Sequence, residues 1–425
     1  MSMIILMFLI LMILIFLGIP IAFSLGISSL ITIIVSGVVP LTVIPQRMFV
    51  SVDSFSLLAV PLFMLVGSIM NEGRIGIRLF RFANVLVGHI KGGLAHVNIL
   101  ASMIFAGMSG SATADAAGLG PIEISAMIDR GFDRDFSCAI TATSALIGPI
   151  IPPSINMVIF GVLTGTSVID LFLGGVFPGI LMGLALMIYS YLIAKRRNYP
   201  VEPLPKMSEA IARLRESFWA LLTPVLIMGG LLSGVFTATE ASAVGVFYVL
   251  FISIVIYKDL SIKKIPGVLS TVGRNTASVL IVIGTGSLFG WLLTIFQLHT
   301  KLEYLLKSIV NGPQALLLVI TLIWLVAGMF LNASVAMVML LPVLFPITQA
   351  YGISPVHFGV VTVMTLTLGA VTPPVGLVLY VTSIVGKISL ERLVAAVFVP
   401  LLFLIGTVLI VAYFPWFITF LPSLF

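Results

Sequence analysis

Long apolar stretches alternate with short polar or basic interruptions along almost the whole chain. Ile4–Leu17 and Leu401–Phe414 contain no charged residue at all. Segments of this kind predict membrane-crossing helices. Ten are legible: 4–17, 21–38, 54–71, 136–164 and 168–194 in the first half, then 218–235, 238–257, 275–297, 357–385 and 393–420 in the second. The first two split at Gly18-Ile19-Pro20, by analogy with the break at Gly234…Thr237 in the second half. In each half one further apolar stretch, 93–128 and 314–350, has a small-residue centre. About 16 residues on each side of that centre are few for two full crossings, so each stretch predicts a re-entrant helical hairpin.

The halves repeat each other at an offset of 221 residues. Ala106-Gly107-Met108 returns as Ala327-Gly328-Met329, Pro121 as Pro342, Gly131 as Gly352, and Gly165 as Gly386. Gly148-x-x-x-Pro152-Pro153 returns as Gly369-x-x-x-Pro373-Pro374. Seven of the 12 identities over 60 ungapped positions are Gly or Pro, so what recurs is backbone geometry. The expected fold is therefore an all-α polytopic membrane protein of two inverted-topology repeats, each with a re-entrant hairpin and a Pro-Pro-broken helix, the plan of secondary transporters. The divisions are 1–195 for the first repeat (hairpin about 93–128, broken helix about 136–164), 196–217 for a cytoplasmic linker, and 218–425 for the second repeat (hairpin about 314–350, broken helix about 357–385). Segments 93–165 and 314–386 are expected to move together, braced by the remaining long helices.

Composition and charge agree. The chain is 60% hydrophobic and 8% charged, with mean hydropathy +1.26, too apolar for a water-soluble core. The N-terminal stretch lacks a basic leader and a cleavage site, so it is expected to be a mature membrane segment. The net charge of +6 sits in loops between apolar segments and does not indicate nucleic acid. Lys195, Arg196, Arg197, Lys206, Arg213 and Arg215 make the linker cytoplasmic by the positive-inside rule. Five crossings per half then invert the second copy and put both termini in the periplasm. Arg74, Arg78 and Arg81 at helical spacing predict an amphipathic interfacial arm. One cysteine, Cys138, excludes an internal disulfide.

The candidate chemistry lies at the interruptions. Gly107–Pro121 is small and polar between apolar flanks, with hydroxyls on Ser109, Ser111 and Thr113 and an intramembrane acid, Asp115. Non-helical backbone at that depth survives only when buried in protein or lining a wet cavity, and an intramembrane acid marks a functional site by default. Two successive prolines remove amide donors, which frees carbonyls suited to a hard cation such as Na⁺. One Na⁺ site is expected from Gly107, Ser109, Gly148, Ile151 and Pro152, and the other from Gly328, Asn332, Gly369, Thr372 and Val375. Ser111, Thr113, Asp115, Asn156, Asn332 and Ser334 are candidates for contact with an organic anion between the hairpin tips, where half-helix N-termini present amides.

At these residues the chain resembles the large membrane subunit of tripartite ATP-independent periplasmic (TRAP) transporters, the DctM/SiaM-like family. The resemblance is carried by Ser56–Phe63, Gly107–Pro121, Gly148–Ser154, Gly234–Ala241 and Gly369–Gly376. It implies an elevator mechanism in the bacterial inner membrane, Na⁺ coupling, a small four-helix membrane subunit, and a periplasmic binding protein delivering an organic acid. Many relatives carry Asp-x-x-Pro where this chain has Asn332-Ala333-Ser334-Val335, which leaves the solute open between sialic acid and C4-dicarboxylates. A stand-alone Na⁺/carboxylate symporter shares the architecture. An intramembrane serine protease built on Gly107-Met108-Ser109-Gly110, with His299 or His357 as base, is a remote rival. No Gly-x4-Gly-Lys-Ser/Thr nucleotide loop occurs, so ATP-driven transport is not expected.

Overall fold

Apolar runs interrupted by Gly and Pro give helices throughout. The computed structural model describes residues 2–424 and contains no strand among them. The first half opens with α1 (Ser2–Phe16), α2 (Ile21–Ser36), α3 (Val43–Val52) and α4 (Ala59–Glu72), the last preceded by a 3-10 turn at Phe55–Leu58. An arm α5 (Ile75–Val87) follows. Then come α6 (Gly93–Ser109), α7 (Ala112–Gly118), α8 (Gly120–Asp129), α9 (Arg134–Ser144), α10 (Ile155–Thr164) and α11 (Val168–Arg197). The second half runs α12 (Met207–Leu232), α13 (Ala238–Phe251), α14 (Ile265–Ile295), α15 (Leu298–Ile309), α16 (Pro313–Phe330), α17 (Ala333–Ala350), α18 (Pro355–Gly369), α19 (Leu377–Gly386), α20 (Leu390–Tyr413) and the short α21 (Trp416–Thr419). Among the described residues, seven helices are long and apolar enough to cross a membrane.

The 221-residue offset holds for elements as well as residues. Shifted by that amount, α5 falls on α15, α6 on α16, α7 with α8 on α17, α9 on α18, α10 on α19, and α11 on α20. Both Pro-Pro bonds, Pro152-Pro153 and Pro373-Pro374, are cis. The two hairpins differ in one respect. The second arm of the first is cut in two at Gly118-Leu119-Gly120, whereas α17 is continuous through Pro342 and Pro346.

Four expectations need adjustment. Only part of the 196–217 linker is irregular: α12 begins at Met207, because Ser208, Glu209 and Ala210 continue a helix that the upstream prolines merely delay. Residues between the spans read at 275–297 and 314–350 are not a plain connection: Leu298–Ile309 form the amphipathic α15, the counterpart of the α5 arm. Each arm of the second hairpin is 18 residues, about 27 Å of helix, so length alone does not make that hairpin re-entrant. Finally, α11 and α20 do not stand with the bracing helices. They pack against each other and against α6, α9, α10 and α18, within the layer formed by the hairpins and broken helices.

The remaining long helices form a second layer, in which α2, α3 and α4 lie along α14, α4 along α13, and α12 along α5. The closest seam between the layers is α14 against α17, where a Cβ on Gly286 would lie 2.3 Å from Val338 Cγ1 and one on Gly290 2.5 Å from Pro342 Cγ. Bare backbone at both positions lets the helices approach closely, the usual packing device between membrane helices. Cys138 is buried in α9, with its sulfur filling the place where Gly386 has no side chain.

Candidate functional site

Both hairpin tips open on one cavity of about 470 Å³. Its wall includes Ser109, Ser111 and Thr113 from the first tip, Asn332 and Ser334 from the second, and Asn156 just beyond the first Pro-Pro break. The structure thus brings together most of the residues singled out for solute contact.

The first tip is held by its own side chains. Ser111 has extended backbone and N-caps α7, accepting from the Ala114 amide at 3.4 Å, and its hydroxyl lies 3.2 Å from that of Thr113. Such a cap is worth about 1 kcal/mol. Gly110 takes φ +62, and a Cβ there would meet the Pro153 carbonyl oxygen at 2.7 Å, so the tip backbone rests directly on the first break. Asp115 lies behind the tip and does not line the cavity. It is 1% exposed, accepts a hydrogen bond from the Ser109 hydroxyl through Oδ1, and has no partner at Oδ2. Oδ2 faces Gly148, where a Cβ would come within 2.5 Å of it. Ser109, Asp115 and Gly148 therefore meet at one buried point behind the tip. Pro152 lies beside Gly107, its carbonyl 3.7 Å from where a Gly107 Cβ would stand, while the Ile151 side chain packs on Gly179 of α11. The Pro149 carbonyl receives the Ser154 hydroxyl.

In the second copy Gly328 and Gly369 touch backbone to backbone: a Cβ on Gly369 would lie 2.3 Å from the Gly328 carbonyl carbon. Asn332 caps α17 by accepting from the Ser334 amide at 3.1 Å. The Thr372 hydroxyl donates to the Leu368 carbonyl at 2.8 Å, so it has a local structural use that the sequence did not reveal. Neither Thr372 nor Val375 lines the cavity. Pro152 and Pro153 are buried, whereas Pro373 and Pro374 are exposed. The two breaks share a shape but not an environment.

Four polar lining residues escaped the sequence reading: Ser68 of α4, Asn275 and Ser278 of α14, and Thr367 of α18. Nothing local marks them, since isolated polar residues in apolar helices are common; only the packing of these helices around the tips gives them a role. Neither His299 nor His357 lines the cavity, and His357 Nε2 engages the Val411 carbonyl at 3.1 Å, so neither histidine is bonded to Ser109 as that protease reading would need.

A second, charged pocket of about 380 Å³ lies away from the tips, lined by Asp133, Arg134, Asp135, Arg197 and Arg392. Its cations are all engaged: Arg197 with Asp133 at 2.7 Å, Arg392 with Asp135 at 2.7 Å, and Arg134 with the Gly386 carbonyl at 2.7 Å. The Tyr199 hydroxyl, donating at 2.6 Å, and the Arg197 guanidinium hold the Asp133 carboxyl below the usual carboxylate range, and burial lifts Tyr199 to about 12.

Helical layers with paired hairpins and broken helices around a neutral polar cavity define a membrane transporter. A known transporter has the same fold: the crystal structure of the Alcanivorax borkumensis YdaH transporter superposes with TM-score 0.64 over 88% of each chain, at 13% identity. The family model "Tripartite ATP-independent periplasmic transporter, DctM component" matches residues 8–417, and the chain belongs to that family. It is 44% identical over 380 residues to the sialic acid TRAP transporter large permease protein SiaM of Vibrio cholerae, covering 89% of both chains. It is 38% identical to the C4-dicarboxylate large permease protein DctM of Pseudomonas aeruginosa, over 87% of this chain and 86% of that one. The 2,3-diketo-L-gulonate large permease protein YiaN of Escherichia coli is 37% identical over 88% of each.

Proposed function

We propose that this chain is the membrane carrier of a Na⁺-coupled importer of an organic acid in the bacterial inner membrane. It works with a small four-helix membrane subunit and a periplasmic binding protein, and both its termini are periplasmic. The observation that supports this most directly is the shared cavity of the two hairpin tips, with the unpartnered Asp115 oxygen buried behind one of them. A fully buried carboxylate without a counter-charge costs several kcal/mol, so a cation beside it is physically favoured. The Ser109 hydroxyl and the Asp115 carboxyl gathered there, with bare backbone at Gly148 leaving room beside them, suit a hard monovalent ion. Asp115 accordingly fits the first Na⁺ site better than solute contact. At the second site Gly328 and Gly369 bring backbone together, and the Thr372 hydroxyl, while donating to Leu368, keeps its capacity to accept.

The elevator reading follows from the layers. Hairpins, broken helices, α11 and α20 form the carrying unit. The helices α1–α4 and α12–α14, with the arms α5 and α15, form the support. The inverted arrangement of the repeats turns one tip toward each side of the membrane. Uptake by proteoliposomes containing the chain with its partner subunit and binding protein tests the energetics. Uptake should require an inward Na⁺ gradient and no ATP, and full uptake on a proton gradient without Na⁺ rejects the coupling.

A further inference from the structure

We infer that the acid carried in this cavity is a hydroxyl-rich monocarboxylate, and that Asn275 and Ser278 of α14 read its hydroxyl groups. This rests on the transporter reading above and narrows its substrate class.

Among the described residues the cavity wall contains no Lys, Arg, His, Asp or Glu. Its polar side chains are hydroxyls and carboxamides, among them Ser111 and Thr113 at one tip, Asn332 and Ser334 at the other, and Asn275 and Ser278 of α14. Such groups donate and accept alike, which matches alcohols and amides; a carboxylate only accepts. Asn275 and Ser278 are three residues apart on one helix and so share a face.

The tips are unequal as seats for an anion. The second leads into α17, an 18-residue helix whose first residues, Asn332–Ser334, line the cavity. Amides at the start of a long helix attract negative charge. Ser334 is only 8% exposed, lines the cavity, and its hydroxyl engages no partner among the described residues, so a donor stands free at that seat. The first tip leads into α7, a stub of seven residues with Asp115 in its first turn. A carboxyl at that position supplies no positive charge in any state, so this tip offers no second seat. A dicarboxylate would leave one charge among groups that accept as readily as they donate. The cavity volume, about 470 Å³, falls within the usual range for small-molecule sites, roughly 300–1,000 Å³, and leaves room for a polyol body beyond one carboxylate.

The test uses the purified full-length chain in lipid nanodiscs with NaCl, probed by calorimetry and thermal shift with gluconate, N-acetylneuraminate, succinate and butyrate. At least one of the two hydroxylated acids should bind more tightly than succinate and butyrate. N275A and S278A should each weaken that acid about five-fold, the loss of one hydrogen bond near 1 kcal/mol, while their ligand-free melting points stay at the parent value. S334A should weaken every acid that binds. Succinate binding as tightly as the hydroxylated acids, or N275A and S278A both binding like the parent, overturns the inference and leaves the transporter reading standing. Failure of all four acids to bind, with Na⁺ or without, overturns both.

Discussion

The Ser109 hydroxyl donates to the Asp115 carboxylate across the tip of the first hairpin, and the other carboxylate oxygen faces Gly148 with no partner. Ser109 ends α6 while Asp115 sits in the first turn of α7, so this single bond ties the two sides of the tip together. Any side chain at Gly148 would displace the carboxylate. Tip, acid and Pro-Pro break therefore form one unit, and a change in any of them is felt by the other two.

Asp115→Asn keeps the shape and removes the charge. The variant is expected to fold at least as well as the parent, since a buried unpaired charge is unfavourable in the ion-free protein. Its uptake should lose most of its Na⁺ dependence. Measuring initial rates against Na⁺ concentration decides the matter, and an unchanged half-saturation removes Asp115 from the ion site.

Thr372→Val removes the oxygen that now donates to Leu368. The stability cost should be about one hydrogen bond, 0.5–1.5 kcal/mol. A ligand role predicts in addition a higher Na⁺ requirement, partly rescued at high Na⁺. Should the variant show only the stability loss, the hydroxyl serves the helix end and the second site is built from backbone alone.

The α14–α17 seam provides a lock. A Cβ placed on Gly286 would stand 3.1 Å from that of Val338, close to the 3.5–4.5 Å that disulfides span. Gly286→Cys with Val338→Cys, oxidised, should stop uptake, and reduction should restore it. Undiminished uptake with the crosslink complete would show that this seam does not slide.

At the charged pocket, Tyr199→Phe should destabilise slightly near neutral pH. Asp133 is held below its unfolded value by Tyr199 and Arg197, so its contribution is present above the ordinary carboxylate value near 3.9 and fades as pH falls through the lower folded value. The Asp133 side chain is 57% exposed, which keeps the effect small. Melting curves from pH 6 to pH 3 should show the gap between parent and variant closing in acid; a gap that widens contradicts the assignment.

What the sequence displayed and what it hid divide along physical lines. Gly110, Pro152-Pro153, Pro373-Pro374 and the Gly18–Pro20 split act through their own backbone, so their effects are local and readable. The first turns of α12 and the whole of α15 were hidden because polar residues beside prolines look the same in a loop as on an interfacial helix. Asn275 and Ser278 acquire a role only when α14 is laid across from the hairpin tips, and no local pattern encodes that. Likewise the Thr372 hydroxyl looks idle until the Leu368 carbonyl, one turn back, is seen to receive it.

The burial of Cys138 against Gly386 has a practical side. Sealed inside the layer of hairpins and broken helices, the native thiol is out of reach of maleimides and methanethiosulfonates applied from either face. The unaltered chain is thus already a silent background for fluorophores and spin labels. A pair of reporters, one on α14 and one on a hairpin tip, would measure in ångströms whether the tip moves against α14, without any cysteine first being removed.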